Sequence, residues 1–93
     1  MDKRILKEAV LKHPELILQP FDALMGMEGF EAIYTLCENM GGATVYIPSA
    51  RKIFARCIER EILREFDGYN HDRLARKYGY SGRHLKRIIS SLV

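Results

Sequence analysis

A mostly α-helical fold with one short strand is predicted for this chain, and three features of the sequence lead to it. Apolar side chains recur every three to four residues over most of the chain, as on the buried face of a helix. Glycines and prolines stand between these segments, where helices end. Only residues 43–47 have the β-branched and aromatic composition that is typical of a strand.

The length of 93 residues predicts one compact domain or a small two-part protein. Its core would be modest, so association of two copies is a natural source of further buried apolar surface. Two cysteines are too few for a disulfide framework, no apolar run is long enough to span a membrane, and the first residues lack the apolar stretch of a signal peptide. We therefore expect a soluble, cytoplasmic protein with no membrane partner.

Charge is divided unevenly along the chain. Residues 1–50 carry four Lys and Arg against seven Asp and Glu, a net charge of −3, whereas residues 51–93 carry eleven against five, a net charge of +6. A basic half indicates a polyanionic partner for that half, although basic helix faces are also commonly just solvated.

The N-terminal half predicts two helices. The first covers residues 3–13 and ends at Pro14, after which a short helical turn follows. The second runs from about residue 28 to 40 and ends at Gly41 and Gly42, because glycine accepts the left-handed conformation that closes a helix. Its apolar stripe consists of Phe30, Ile33, Tyr34, Leu36, Cys37 and Met40.

The predicted strand, residues 43–47, has no partner strand in the sequence. Because an unpaired strand leaves backbone hydrogen bonds unmade, we interpret it as pairing antiparallel with the same segment of a second copy across a two-fold axis. The alternative is an extended linker packed on its own helices. The residues predicted to dimerise are Ile33, Leu36, Met40, Ala43, Val45, Tyr46 and Ile47.

The C-terminal half begins with a long predicted helix. Ser49 can cap it, and apolar residues at helical spacing continue to Phe66, before Asp67 and Gly68 break the pattern. Its core face comprises Ile53, Phe54, Cys57, Ile58, Ile62, Leu63 and Phe66.

Two shorter helices are predicted after this break. Asn70 is suited to cap a helix over residues 71–78, Gly79 lies where a positive φ is required, and Ser81 caps a last helix that reaches about Leu92. Two helices joined by a short turn with a glycine form a helix-turn-helix unit. The residues predicted to share its core are Leu74, Ala75, Tyr78, Tyr80, Leu85 and Ile88.

The last helix is the predicted DNA-reading element. Arg83 and Arg87 are expected to contact bases, since arginine can pair with both O6 and N7 of guanine in the major groove. Arg73, His84 and Lys86 are expected to contact phosphates. The full predicted DNA-binding set is Asn70, His71, Arg73, Ser81, Gly82, Arg83, His84, Lys86, Arg87 and Ser90. Residues 1–48 would form the dimerisation region and residues 49–93 the DNA-binding domain.

These features predict a dimeric, sequence-specific regulator that binds double-stranded DNA. The alternative from another class is a helical module that binds another transcription component without contacting DNA. The sequence contains no zinc-ligand spacing, no phosphate-binding loop and no nucleophile motif. No metal, cofactor or enzyme activity is therefore predicted.

Three stretches of the sequence together resemble a known family. They are Gly-Gly-Ala-Thr-Val-Tyr-Ile-Pro at 41–48, Phe-Asp-Gly-Tyr-Asn at 66–70 and Leu-Ala-Arg-Lys-Tyr-Gly at 74–79. Over roughly residues 28–93, the chain is similar to the Mor/C transcription activators of phages and prophages. The resemblance implies an intersubunit strand in or beside which Val45, Tyr46 and Ile47 lie, and a recognition helix that begins near Ser81. It also implies activation from an imperfectly two-fold promoter site, with RNA polymerase as a further partner.

Overall fold

The computed structural model describes residues 2–92, and Leu92 only as part of a helix backbone. This part of the chain is mostly helical, as predicted. The helices are α1 (Lys3–Lys12), α2 (Gly29–Met40), α3 (Ala50–Ile53), α4 (Ala55–Glu65), α5 (His71–Tyr78) and α6 (Gly82–Leu92). Short 3-10 turns at Pro14–Leu16 and Phe21–Leu24 join α1 to α2.

Helix α4 lies at the centre of the core, and α1, α5 and α6 pack on it. Ile58 and Ile62 of α4 are fully buried against Leu74 of α5 and Leu85 of α6. The rest of this buried cluster is Ala75, Tyr78, Ile88 and Ile89. Apolar residues at helical spacing therefore form the core that the sequence predicts, with Tyr80 at its edge, partly buried.

The long helix predicted over residues 49–66 is wrong in one respect, because it is broken at Phe54. This residue has φ −103° and ψ 10°, which ends α3 and begins α4. Just before the break, the carbonyl of Ile53 accepts a hydrogen bond from the backbone N–H of Leu18 at 3.1 Å. Phe54 itself packs against a second cluster, formed by Val10, Ile17 and Cys57. A contact from the N-terminal segment thus coincides with the interruption.

Helix α1 belongs to the same packed body as the C-terminal helices. Ala9 and Val10 are buried, and Ile5 and Leu6 pack against the main core. The Sγ atom of the buried Cys57 donates to the carbonyl of His13 at 3.1 Å. The segment up to about residue 24 therefore covers one side of α4 rather than standing apart from it.

Helix α2 projects from this body and packs mainly against the turn Phe21–Leu24. Its termination needs both glycines, for different reasons. A Cβ at Gly41 would lie 2.3 Å from the carbonyl oxygen of Cys37, and Gly42 has a positive φ of 78°. The following residues, 43–49, have no regular secondary structure in this single chain. The intersubunit strand stays a prediction, since its pairing partner would be a second copy.

Candidate nucleic-acid interface

Helices α5 and α6 are joined by residues 79–81, with the bounds that the sequence predicts. Gly79 has φ 72°, and the N–H of Tyr80 donates to the carbonyl of Ala75 at 3.0 Å, which closes α5. At the start of α6, Ser81 Oγ accepts from the backbone N–H of His84 at 3.1 Å. This hydroxyl satisfies one of the N–H groups that a helix start leaves free.

Helix α6 has two chemically distinct faces. Leu85, Ile88 and Ile89 are buried against α4 and α5. The opposite face is exposed, and it carries every α6 residue of the predicted DNA-binding set: Gly82, Arg83, His84, Lys86, Arg87 and Ser90, with Ser81 just before them. The helix contains no acidic residue. Within residues 2–92, Arg83, Lys86 and Arg87 take part in no ion pair, so their charges are available to a polyanion.

The predicted DNA-binding residues on and before α5 differ in their exposure and in their contacts. Arg73 is exposed. Asn70 and His71 are partly buried and have intramolecular contacts, the His71 ring lying edge-on to Phe66 with centroids 4.8 Å apart. The predicted side-chain cap of α5 by Asn70 is wrong, because its amide donates to the carbonyl of Glu65 at 2.9 Å and accepts from the N–H of Asp67 at 3.1 Å. Asn70 thus orders the loop before α5 instead of capping it.

A partly buried polar contact anchors α5 to α4. The hydroxyl of Tyr78 donates to the carboxylate of Glu65, and Lys77 Nζ lies 2.7 Å from the other oxygen of that carboxylate. Burial and the bond to Glu65 raise the pKa of Tyr78. Burial acts to raise the pKa of Glu65, but the hydrogen bonds from Lys77 and Tyr78 outweigh it, so that this pKa is lowered. The pair orients α5, and through it the turn into α6.

Two residues near this surface were assigned no role from the sequence. Tyr69, in the loop before α5, is 94% exposed, the highest value among the large apolar and aromatic side chains described. Arg51 reaches from α3 to the turn between α5 and α6, where its Nη2 donates to the carbonyl of Tyr78 at 2.8 Å. No periodicity or spacing marks either residue, since Tyr69 lies in a loop and Arg51 acts 27 positions away in the sequence.

The similarity of this chain to known proteins agrees with the resemblance found from its motifs. A profile of the Mor transcription activator family matches residues 8–92. The chain belongs to this family. No significant match to a curated protein or to a solved structure was found. The match begins within α1, so the Mor-family region includes the second half of this helix, which packs on α4, as well as the segments quoted above.

In this Mor-family protein, the residues predicted to dimerise are mostly exposed. Ile33 and Leu36 of α2 are 65% and 41% exposed, and Tyr46 and Ile47 are 78% and 68% exposed. Ala43 and Val45 are also exposed, and Met40 is partly buried. On α2, the exposed apolar side chains of Phe30, Ile33, Tyr34 and Leu36 form an uncovered apolar surface that we call the α2 surface, in which the rings of Phe30 and Tyr34 stack with centroids 5.8 Å apart.

Two further findings concern other kinds of site. In residues 2–92, no three His, Cys, Asp or Glu side chains come together in a group that could hold a metal ion. Over the same residues, no helix has both the length and the apolar character needed to cross a membrane. The family itself is one of transcription activators, not of enzymes.

Proposed function

We propose that this Mor-family activator is a homodimer that binds a near-palindromic promoter site in double-stranded DNA, with one α6 helix of each subunit in the major groove. The observation that supports this most is the exposed face of α6, which presents Arg83, Lys86 and Arg87 without an acidic neighbour on the helix. A helix with this charge and a well-anchored opposite face is suited to a DNA groove.

Helices α5 and α6 then act as a helix-turn-helix unit, with α6 as the recognition helix. Arg83 and Arg87 are four residues apart and share one face of the helix, so both can reach base edges in the same groove. Lys86, His84 and Arg73 contact phosphates, while Ser81, Gly82 and Ser90 line the approach to the groove. Asn70 and His71 lie at the N-terminus of α5, where backbone N–H groups favour a phosphate.

The α2 surface supports the dimer. An exposed apolar helix face of this kind on a small chain marks a protein interface, because it stabilises the protein only when it is covered. Helix α2 packs on the turn Phe21–Leu24, and Met25 follows that turn directly. Met25 lines an apolar cavity of about 290 Å³ together with Leu6, Val10 and Phe54. In the dimer, residues 43–47 pair as an antiparallel strand across the two-fold axis.

The division of roles follows from this arrangement. Residues 1–48 supply dimerisation and residues 49–93 supply DNA binding, although α1 also packs on α4 and supports the second part. Bound at a promoter, the dimer activates transcription by contact with RNA polymerase, the role proposed here for a member of an activator family.

The test is fluorescence anisotropy of labelled random-sequence duplex DNA across a series of salt concentrations. We expect salt-sensitive binding by the wild type, because phosphate contacts release counterions, and we expect the Arg83→Ala/Arg87→Ala variant to bind much more weakly. The matched control is Arg56→Ala/Arg60→Ala, which removes two exposed arginines at the same spacing from α4.

Each result of this experiment has a definite meaning. Weak binding by the α6 variant and near-normal binding by the α4 variant support the proposed interface. Equal losses of DNA affinity in both variants would show that binding depends only on net charge, and would contradict the role of α6 as the recognition helix. If the wild type bound no DNA even at low salt, the result would favour the alternative function, that of a helical module that binds another transcription component.

A further inference from the structure

Arg51 makes three contacts with the turn that precedes α6. Its Nη2 atom donates to the carbonyl of Tyr78 at 2.8 Å and, at 3.5 Å, to that of Gly79. Its guanidinium carbon lies 4.5 Å from the centre of the Tyr80 ring. Carbonyls at the end of a helix lack partners within the helix, and a cation there also interacts favourably with the helix dipole. Arg51 therefore closes the end of α5 from outside that helix.

These contacts extend into the first turn of α6. The Tyr80 ring, which Arg51 covers, packs edge-on against the ring of His84 with centroids 4.6 Å apart. His84 follows Arg83 directly and lies in the exposed, basic part of α6. The first turn of α6 therefore contacts the Tyr80 ring, and the Tyr80 ring contacts Arg51.

In the sequence, Arg51 follows closely after the segment that links the two proposed parts of the protein. Only Ala50 separates it from Ser49, whose hydroxyl caps α3 by accepting from the N–H of Lys52 at 3.3 Å. The preceding residues, 43–49, have no regular structure in the single chain. Arg51 is thus close in sequence to the proposed intersubunit strand and in direct contact with the turn into α6.

An arginine is the side chain that suits this place. Its planar fork can donate to two neighbouring carbonyls while its flat face stacks on a ring, and a lysine ammonium cannot do both. Because the guanidinium is engaged with carbonyls and an aromatic ring, it is not an unoccupied phosphate ligand. The contacts of Arg51 point to a role in geometry rather than in DNA contact.

We propose that Arg51 is a positioning residue for DNA recognition: it couples the segment 43–49 to the first turn of α6 and so sets the spacing of the two recognition helices in the dimer. The inference rests on the proposed dimeric DNA binding. With Arg51 in place, the distance between the two α6 helices is narrowly defined, and half-sites must match it. Without its contacts, α3 and the segment before it can shift relative to the packed helices α4, α5 and α6, and the two α6 helices can shift with respect to the dimer axis.

The experiment uses the full chain and a duplex that the wild type itself selects from a random-sequence library. Affinity is measured for this duplex and for versions with one base pair inserted or removed between the half-sites. We expect the wild type to discriminate against both altered spacings. We expect Arg51→Lys to bind the parent duplex about tenfold more weakly, equivalent to ~1.4 kcal/mol, and to lose most of the discrimination between spacings. Arg56→Lys, the same change at an exposed site on α4, should behave as the wild type.

The salt dependence separates positioning from phosphate contact. Loss of a positioning residue leaves the slope of log affinity against log salt unchanged, whereas loss of one phosphate contact reduces it by ~0.9. A second variant, Tyr80→Leu, keeps Arg51 but removes the ring on which it stacks, and it should relax the spacing preference in the same way. Circular dichroism at the assay temperature shows that each variant is folded.

Two results would overturn the inference while leaving the proposed function intact. One is wild-type affinity and spacing preference in both Arg51→Lys and Tyr80→Leu. The other is a reduced salt slope in Arg51→Lys with the spacing preference preserved, which would make Arg51 a phosphate contact. A wild type that binds no DNA would instead remove the proposed function and this inference with it.

Discussion

Glu61 of α4 and His13, just after α1, are joined by a hydrogen bond of 2.9 Å between Oε2 and Nε2. Glu61 is only 3% exposed and is the only charged side chain buried to this degree among the described residues. Its carboxylate also accepts two bonds from Arg64, at 2.8 and 2.9 Å, and one from Lys12 at 3.3 Å. A buried carboxylate is stable only when it is paired in this way, so Glu61 adds a polar connection to the apolar packing of α1 on α4.

Acid should weaken the fold through Glu61. The hydrogen bond from Arg64, with those from His13 and Lys12, lowers the pKa of Glu61 from its ordinary 4.5 to about 2, although burial acts in the opposite direction. Since the folded-state pKa is the lower one, the stabilisation is complete above about pH 4.5 and is lost as the pH falls towards 2. We expect the free energy of unfolding to fall by about 1–3 kcal/mol over this window.

Urea unfolding at several pH values checks this, with Glu61→Gln as the test variant and Glu59→Gln as the control on the same helix. The Glu61→Gln protein should be less stable near neutral pH and should lose less stability as the pH falls. Equal acid sensitivity in the wild type and Glu61→Gln would contradict the assignment of this effect to Glu61.

The Tyr78 hydroxyl should contribute measurably to stability. Tyr78 is 2% exposed and donates to the carboxylate of Glu65. Tyr78→Phe removes a donor to a charged and partly buried acceptor, so we expect a loss of about 1–2 kcal/mol at neutral pH. Tyr69→Phe is the matched control, because Tyr69 is 94% exposed. Chemical denaturation of the three proteins measures the difference, and equal stability of Tyr78→Phe and the wild type would show that the bond contributes nothing.

Two glycines around the turn should respond in opposite directions to replacement by alanine. Gly79 has φ 72°, a conformation that costs a residue with a Cβ about 1–2 kcal/mol, so Gly79→Ala should be destabilising by that amount. Gly82 lies in α6 with open space where a Cβ would be, and alanine favours helices by up to ~1 kcal/mol, so Gly82→Ala should be neutral or stabilising. Thermal unfolding followed by circular dichroism compares them. A stabilising Gly79→Ala would contradict the need for a positive φ in this turn.

The dimer should depend on the α2 surface. Ile33→Glu places a charge among exposed apolar side chains, and we expect the dissociation constant of the dimer to rise at least ~10-fold, because the charge would lose its hydration in the interface. Asn39→Glu adds the same charge at an exposed polar position of α2 outside the apolar stripe and should have little effect. Sedimentation equilibrium gives both constants. A wild type that is monomeric at micromolar concentration would contradict the dimer altogether.

Local signals account for the parts of the fold that were predictable. The spacing of Leu74, Tyr78, Leu85 and Ile88 identifies the buried side of α5 and α6, and all four are buried. Gly79 and Ser81 bound the turn as expected, because a positive φ and a hydroxyl cap are requirements of the backbone within a few residues. The basic face of α6 was also predictable, since a helix that buries one stripe must expose the other.

The outcome of competition between possible contacts was not predictable in this way. The periodic pattern through Phe54 is that of an unbroken helix, and only the packing of residues 10–18 against it accompanies the break. Asn70 has the chemistry of a helix cap, yet the carbonyl of Glu65 and the N–H of Asp67 compete for its amide. A distant segment thus accompanies the break at Phe54, whereas at Asn70 backbone groups three and five positions earlier take the place of the helix N-terminus as partners of the amide.

The sequence by itself determined most of the helical segments, where the turn between α5 and α6 lies and which side of α6 is basic, because each depends on residues within one or two helical turns. Only the tertiary structure decided that Glu61 joins α1 to α4 and that Arg51 holds the turn before α6. His13 and Glu61 are 48 positions apart, and Arg51 and Tyr78 are 27 apart. Such pairs meet only after the apolar faces of the helices have packed, and that packing sets which polar groups lie within hydrogen-bonding distance.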